Sequence, residues 1–227
     1  MKSLILPVLP IPNVVFFPNT ELPIFLVDQV YVRMIKECVR EGMLVAISLA
    51  EPIQNSFFPT PKFRPKKVCS YGKPIILEEL ADGTIKVLIK GVGRVQLETV
   101  IQNLPYLVYE GIPYPDLPEQ ELLGSNTLTK LQKLLESWTR ESIPDSLERE
   151  SFMKSLTTLN HMVDYISMFL IQDRKVRQVL LETTSIFERI QMLKSLFHEE
   201  LPLFEDIQAA TAIKSYESIE KIARGWH

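Results

Sequence analysis

The apolar N-terminal segment of this chain is interrupted by prolines, and this feature constrains its fold more than any other. Four prolines interrupt the apolar residues 6–18, and a fifth, Pro23, lies within a second apolar run at residues 22–26. Proline has no backbone N–H and disrupts a helix interior, so within sheets it is confined to strand ends, edges and bulges. The segment therefore predicts short buried β-strands. It also lacks the uninterrupted helix that a signal peptide or a membrane span requires.

Residues 75–90 predict a β-hairpin. Two apolar segments, residues 75–80 and 85–90, flank a turn in which Asp82-Gly83 supplies the positive φ of a tight connection. The second segment alternates apolar residues with lysine, which is typical of a half-solvated strand. Residues 91–97 alternate again after a glycine bend.

One helix is predicted within this β-rich half. Asp28 is its expected N-cap and Gly42 its left-handed C-cap. Its buried face is predicted from three- and four-residue spacing: Val30, Met34, Ile35 and Cys38. A short buried strand is expected at residues 44–49, and residues 51–67, rich in proline and polar side chains, predict a long surface loop.

The pattern becomes helical after residues 113–118, where three prolines mark a linker or a stiff domain corner. Three apolar stripes follow at helical spacing. They comprise Leu128, Leu131, Leu134, Leu135 and Trp138; Phe152, Leu156, Leu159, Val163, Ile166 and Leu170; and Val176, Val179, Leu180, Phe187, Ile190, Leu193 and Phe197. Strands followed by helices predict an α+β chain, with a β-rich unit at residues 1–112 and a helical bundle at 116–227. The tail, residues 202–227, is expected to form a last amphipathic helix.

Three segments resemble the amino-terminal substrate-recognition domain of the Lon ATP-dependent protease family. The first is the proline-punctuated opening. The second is the hairpin, matched at Leu80 and from Asp82 to Arg94, with Ala81 where the family usually has proline. The third is the pair of motifs at residues 177–182 and 187–190. The resemblance spans residues 4 to 201 and implies a PUA-like pseudo-barrel with one helix, followed by a helical subdomain, that binds proteins and carries no chemistry of its own.

No catalytic constellation is apparent in the sequence, and we expect neither enzymatic activity nor a cofactor. A Lon ATPase needs Gly-x-x-x-x-Gly-Lys-Ser/Thr, which the chain lacks, and the Ser-Lys peptidase module is also missing. The three histidines are widely spaced, so no metal site is expected. Cys38 and Cys69 are too few for a disulfide framework, and with no targeting segment we expect a cytoplasmic protein with both thiols reduced and buried.

Two surfaces are candidates for binding unfolded or partner polypeptides. One is the predicted loop, where Phe57, Phe58 and Phe63 lie among basic residues; the alternative is that Phe57 and Phe58 pack beneath it. The other is the ridge around Pro23 and Ile24, where an apolar patch would form a peptide-binding surface. The partner would be a client protein or a separate protease, and the module would act as adaptor, holdase or regulator.

The same loop supports a different interpretation, RNA binding, because PUA-like folds are related to RNA-binding modules. In that case Lys62, Arg64, Lys66 and Lys67 would contact phosphates and Phe63 would stack on a base. The formal net charge of −3 and the acidic second half argue against nucleic acid as the main partner, and no membrane partner is expected. Polypeptide recognition is the preferred hypothesis.

Overall fold

A computed structural model describes residues 2–53, 63–118, 125–156 and 158–198. The strands are β1 (Leu4–Ile11), β2 (Glu21–Leu26), β3 (Val45–Pro52), β4 (Phe63–Pro65), β5 (Val68–Glu79), β6 (Ile85–Gln102) and β7 (Val108–Pro113), with helix α1 (Gln29–Glu41) between β2 and β3. The helices that follow are α2 (Ser125–Ser142), α3 (Ser146–Ser155), α4 (Leu159–Tyr165), α5 (Arg174–Glu182) and α6 (Ile186–His198), and a π-helical turn (Ile166–Leu170) continues α4. This order confirms the predicted α+β class.

Five of the strands close into a barrel. They are hydrogen-bonded in the order β1-β7-β6-β5-β3, and parallel pairing of β1 with β3 completes the ring. Strand β1 pairs with β7 through residues 4–7 and with β3 through residues 8–11. Each half of β1 therefore forms backbone hydrogen bonds with one neighbouring strand only. Because proline lacks one backbone donor, this one-sided pairing accommodates Pro7 and Pro10 within the ring.

Helix α1 has the predicted caps. The Asp28 carboxylate accepts a hydrogen bond from the backbone N–H of Val30, and Gly42 adopts φ 66°. The predicted buried face is wrong at one position, because Val30 is exposed and Val32 is buried in its place. Val30 lies in the first turn, rotated away from the stripe centred on Ile35.

Both cysteines are free and buried. Burial raises the pKa of the Cys38 thiol to about 11 and that of the Cys69 thiol to about 12. Because the thiolate is the reactive species, we expect neither thiol to react with an aromatic disulfide reagent in the native protein at mildly alkaline pH. Both should react after denaturation. Rapid native-state modification of either thiol would contradict the packing described here.

The predicted hairpin is present as the outer part of β5 and β6, but its second strand is not half-solvated. Lys86 and Leu88 are buried, as are the residues on the other face of the strand. Strand β2 pairs with this part of β6 and places Phe25 directly opposite Lys86, whose Nζ lies 5.5 Å from the ring centroid. Lys86 is therefore a cation packed against an aromatic ring from the neighbouring strand, whereas Lys90 is exposed and pairs with Glu21 at 3.0 Å.

The predicted surface loop at residues 51–67 is partly β-structure, which corrects the expectation of irregular chain. Strand β3 extends to Pro52 and pairs antiparallel with β4, so that Pro52 lies opposite Phe63 and Glu51 opposite Arg64. Among the described strands, β4 pairs only with β3. An edge position of this kind tolerates Pro65.

The second predicted stripe, Phe152 to Leu170, is not one continuous helix. Helix α3 ends at Ser155 and α4 begins at Leu159, where the Thr158 hydroxyl accepts a hydrogen bond from the backbone N–H of His161. The apolar positions still share one core, because the two helices and the π-helical turn pack together. The predicted final helix at residues 202–227 lies outside the described residues.

The proline-rich segment 113–118 is a packed corner. The backbone N–H of Leu117 donates to the carbonyl of Thr184 at 3.0 Å, and the Tyr114 hydroxyl donates to the carbonyl of Glu182 at 3.1 Å. The division at residues 112 and 116 stays a prediction. The core does not stop there, since one buried cluster contains residues of the barrel, α1 and the helices.

A network of charged and amide side chains, which we call the Asp116 junction, joins the barrel to the helices; its buried members are Arg94, Asp164 and Arg189. Asp116 accepts hydrogen bonds from Arg94 of β6, from Arg189 of α6 at 2.6 Å and from Asn160 of α4 at 2.6 Å. The two arginine side chains are 3% and 1% exposed. Two further members complete the junction: Arg189 also donates to Asp164 at 2.8 Å, and Asn19 donates to the second oxygen of Asp164 at 2.9 Å.

Stability is expected to depend on pH through Asp164. Burial raises the pKa of its carboxyl to about 6, and the attraction of Arg189 opposes this effect. The folded chain therefore holds the proton over a range in which the unfolded chain has lost it. The stability from this difference is full below about pH 4 and is lost as the pH rises through about 6, by an amount on the order of 1–3 kcal/mol.

The measurement compares the free energy of unfolding of the wild type with that of Asp164→Asn as a function of pH. The wild type should lose stability relative to the variant between pH values of about 4 and about 6. A difference that is flat over this range, or that rises, would show that folding does not raise the pKa of the Asp164 carboxyl.

Candidate functional site

A groove lies between the β3–β4 edge and helix α5, and we call it the β4–α5 groove. Its volume is about 600 Å³. The barrel side contributes apolar side chains from the segment that follows β1, from β3 and from β4. The helix side contributes residues of α5, most of them exposed. The apolar lining includes Pro12, Leu49, Ala50, Pro52, Phe63 and Val179.

Helix α5 is held firmly against the barrel, which fixes the width of the groove. Asp173 caps the helix, accepting hydrogen bonds from the backbone N–H groups of residues 175 and 176. Gln178 is 5% exposed, and its amide donates to the carbonyl of Val68 at 2.9 Å and to the Glu182 carboxylate at 2.8 Å. A buried amide that joins helix and strand in this way gives the groove a defined wall.

The charges on the barrel side of the groove are largely neutralised. Glu51 accepts from Lys66 at 2.7 Å and lies 3.5 Å from Arg64. The hydrogen bond from Lys66 lowers the pKa of the Glu51 carboxyl. Lys67 pairs with Glu98 at 3.4 Å. Three of the four basic residues of the predicted loop are thus paired with carboxylates.

The charges on the helix side are different. Arg174 and Lys175 begin α5 and are exposed. Neither forms an ion pair with another residue in the described part of the chain. Glu182, near the other end of α5, also lines the groove and accepts a hydrogen bond from Gln178. The groove therefore has a mixed lining in which Arg174 and Lys175 are the cations available to a ligand.

A second groove, the α5–α6 groove, lies on the other side of α5 and has a volume of about 530 Å³. Its lining is mainly apolar and includes Val176, Val179, Leu180, Met192 and Leu196. Val179 and Leu196 remain 48% and 40% exposed. Lys175 and Val179 line both grooves, so the two are adjacent across α5.

The structure separates the predicted site residues. Phe63 lies in the β4–α5 groove and is 42% exposed. Pro23 and Ile24 lie on β2, line neither groove and are half-buried. The exposed side chain of that ridge is Phe25. Phe57 and Phe58, like Lys62, fall outside the described residues.

Sequence reasoning did not identify α5 as part of a site. Val179 was assigned to an apolar stripe together with Leu180, yet Leu180 is fully buried and Val179 is not. A signal was present in the two consecutive cations at residues 174 and 175, because acidic residues are the ones favoured in the first turn of a helix.

The described residues include no group of three or more His, Cys, Asp or Glu side chains placed to hold a metal ion. In the same part of the chain, no helix combines the length and the apolar character needed to cross a membrane.

Comparison with known proteins identifies one family. A family model described as the ATP-dependent protease La (LON) substrate-binding domain matches residues 5–199. The Lon protease of Cytophaga hutchinsonii is 25% identical over 212 residues, which are 88% of this chain and 25% of that protein. The Lon protease of Escherichia coli K12 is 24% identical over 210 residues, again 88% of this chain and 25% of that protein. The chain thus spans about a quarter of the length of the relatives it matches.

Two solved structures share the fold. The amino-terminal domain of the Mycobacterium avium complex Lon protease superposes with a TM-score of 0.59 and 21% identity, covering 88% of this chain and 100% of that one. The Lon amino-terminal domain protein of Xanthomonas campestris gives a TM-score of 0.57 and 16% identity, covering 86% and 98% respectively.

Proposed function

The chain belongs to the LON substrate-binding domain family, and on that premise we propose that it binds unfolded segments of client polypeptides in the β4–α5 groove. The observation that carries this proposal is the groove itself, which lies at an open sheet edge, combines apolar with polar lining residues and leaves Phe63 exposed within it. The apolar part of such a groove suits the exposed hydrophobic segments of unfolded chains.

Contacts between side chains would dominate this recognition. Strand β4 has three residues, one of which is Pro65, so its edge offers few backbone groups for an added strand. Binding through apolar contacts alone is weak and tolerant of sequence, as recruitment of many clients requires. We propose that Phe57 and Phe58 also contact the client, because in the sequence they lie between Pro52 and Phe63, which both line the groove.

The role in proteolysis would be recruitment. The family match is to the substrate-binding domain, and the chain has no Gly-x-x-x-x-Gly-Lys-Ser/Thr sequence to hold a nucleotide. We propose that the module acts in the cytoplasm as an adaptor or regulator that presents clients to an ATP-dependent protease or withholds them from it. The two buried free thiols fit a reducing compartment.

The groove is tested with the double variant Phe63→Ala/Val179→Asp. We expect its affinity for a fluorescently labelled, permanently unfolded protein, measured by anisotropy, to fall at least about tenfold, because one variant residue removes an aromatic anchor and the other places a charge in the apolar lining. Both side chains are exposed, so the fold should be retained, which circular dichroism checks.

Two controls separate the competing sites. Phe25→Ala removes the exposed side chain of the β2 ridge and should leave affinity unchanged. If Phe25→Ala abolished binding and the double variant did not, the ridge would be the site. A single-stranded RNA should not compete; displacement of the unfolded protein by RNA at physiological salt would favour the nucleic-acid interpretation instead.

A further inference from the structure

We propose that the two grooves form one bipartite site, and that its preferred ligand is a polypeptide segment with an acidic residue between two apolar anchors. This inference rests on the proposed function and specifies its substrate class. One anchor occupies the β4–α5 groove, the other occupies the α5–α6 groove, and the acidic side chain crosses α5 beside Arg174 and Lys175.

The first support is the adjacency of the grooves. Lys175 and Val179 line both, so an extended segment that leaves one groove across α5 enters the other directly. Val179 is 48% exposed at this crossing. A nearly half-exposed valine that lines both grooves connects their apolar surfaces, and covering it would remove further apolar surface from water.

The second support is the lining of the α5–α6 groove. Side chains from both helices meet there, and the unbranched Met192 lies among branched aliphatic residues. Methionine adapts its shape to different partners, which suits a groove that accepts varied aliphatic or aromatic anchors. Leu196, at 40% exposed, forms the outer wall.

The third support is charge. Arg174 and Lys175 occupy the first turn of α5, where the positive end of the helix dipole disfavours cations. They form no ion pair with the described residues, whereas the neighbouring basic residues Lys66 and Lys67 do. The Asp173 carboxylate, which caps the helix, already offsets the dipole in part. A carboxylate on the ligand would complement the two cations, and a lysine at the same place would add to the repulsion.

The test uses short synthetic peptides that carry a Phe-Leu anchor on each side of one central residue, with spacers of varied length. At the best spacer, the peptide with central Asp should bind about three- to tenfold more tightly than that with Asn, and the Lys peptide should bind most weakly. The Asp preference should fall as salt is raised. Equal affinity of all three peptides at low salt would overturn the charge argument.

Two variants locate the effect. Lys175→Glu should reverse the order of the Asp and Lys peptides, whereas Lys154→Glu, an equal change of charge on an exposed residue of α3, should not. Leu196→Asp should weaken the two-anchor peptide about tenfold and leave a one-anchor peptide unaffected. If Leu196→Asp weakened neither peptide, the bipartite site would be wrong and the proposed function would stand.

Two further outcomes would separate a failure of the proposed function from a failure of the bipartite site. If no peptide and no unfolded protein bound the wild type, the proposed function itself would fail. If sedimentation showed a dimer that Leu196→Asp dissociates, the α5–α6 groove would be occupied by a second copy of the chain, and the bipartite proposal would be overturned.

Discussion

Replacing Asp116 by alanine is expected to lower the free energy of unfolding by about 3–5 kcal/mol, because it leaves two buried arginines without their shared carboxylate. Asp116 accepts from Arg94 and Arg189, whose side chains are 3% and 1% exposed. It also accepts from Asn160. Removing one partner of a buried ion pair leaves the other charge unpaired and away from water. The free energy that this costs exceeds the net stabilisation that the intact pair provides.

The remaining partners do not compensate for this loss. Arg94 would still donate to the carbonyls of Leu181 and Thr183, at 2.8 and 2.9 Å, and Arg189 would still donate to Asp164. Asp164 would then be the one carboxylate of the junction facing two buried cations. In the variant, helices α4 and α6 would therefore lose the carboxylate that links them to β6.

The measurement is chemical denaturation of the wild type and Asp116→Ala. The control is Glu150→Ala, which removes the exposed partner of Lys154 on α3 and should leave the midpoint unchanged within error. A midpoint for Asp116→Ala close to that of the wild type would mean that water replaces the carboxylate and that the junction contributes little to stability.

The motifs that carry the resemblance to the family contribute residues to contacts between the barrel and the helices. Arg94 ends the hairpin motif, and Gln178 and Arg189 belong to the two helical motifs. In the structure, Arg94 and Arg189 meet at Asp116, and Gln178 ties α5 to the carbonyl of Val68. These motif residues hold the barrel and helices together, and only Gln178 also lines a groove.

Local features were predictable from the sequence because neighbouring residues determine them. The caps at Asp28 and Gly42 and the turn at Asp82-Gly83 each depend on a few consecutive residues, and all three are present. Asp116 lies within a proline-rich segment that resembles a linker, and its partners are 22 to 73 residues away. No local pattern reports a pairing of that kind.

The candidate site was only partly predictable for the same reason. Phe63 is predicted from the composition of its segment, in which aromatic residues lie among basic ones. Val179 and Leu180 lie three and four residues after Val176, so helical spacing places both on the same apolar stripe. Only the packing of α5 shows that Val179 is exposed and Leu180 is buried. Lys86 was mistaken for a solvated residue because Phe25, which covers it, lies on another strand.

Replacing Trp138 by alanine is also expected to lower the free energy of unfolding by about 3–5 kcal/mol, through the loss of a large buried side chain and the cavity it leaves. Trp138 is 4% exposed. Its ring centroid lies 6.1 Å from that of Phe152 and 5.7 Å from that of Phe169, and Tyr165 contacts both of those rings at 5.1 and 5.6 Å. This aromatic cluster joins α2, α3, α4 and the π-helical turn. Leu147→Ala, a 74% exposed position on α3, is the control and should change stability little.

Amide hydrogen exchange tells whether this loss is confined to the helices. One buried cluster extends from Phe17 through Ile166 to Leu193, and the Thr20 hydroxyl oxygen lies 3.0 Å from the Met168 sulfur. We therefore expect protection of β6 and of α4 to fall by the same free energy in Trp138→Ala, as in a single cooperative unit. If the α4 amides lost protection and the β6 amides did not, residues 1–112 and 116–227 would be separate folding units. The β4–α5 groove would then open and close as α5 moves relative to the barrel, and its affinity for ligands would depend on the stability of the helices.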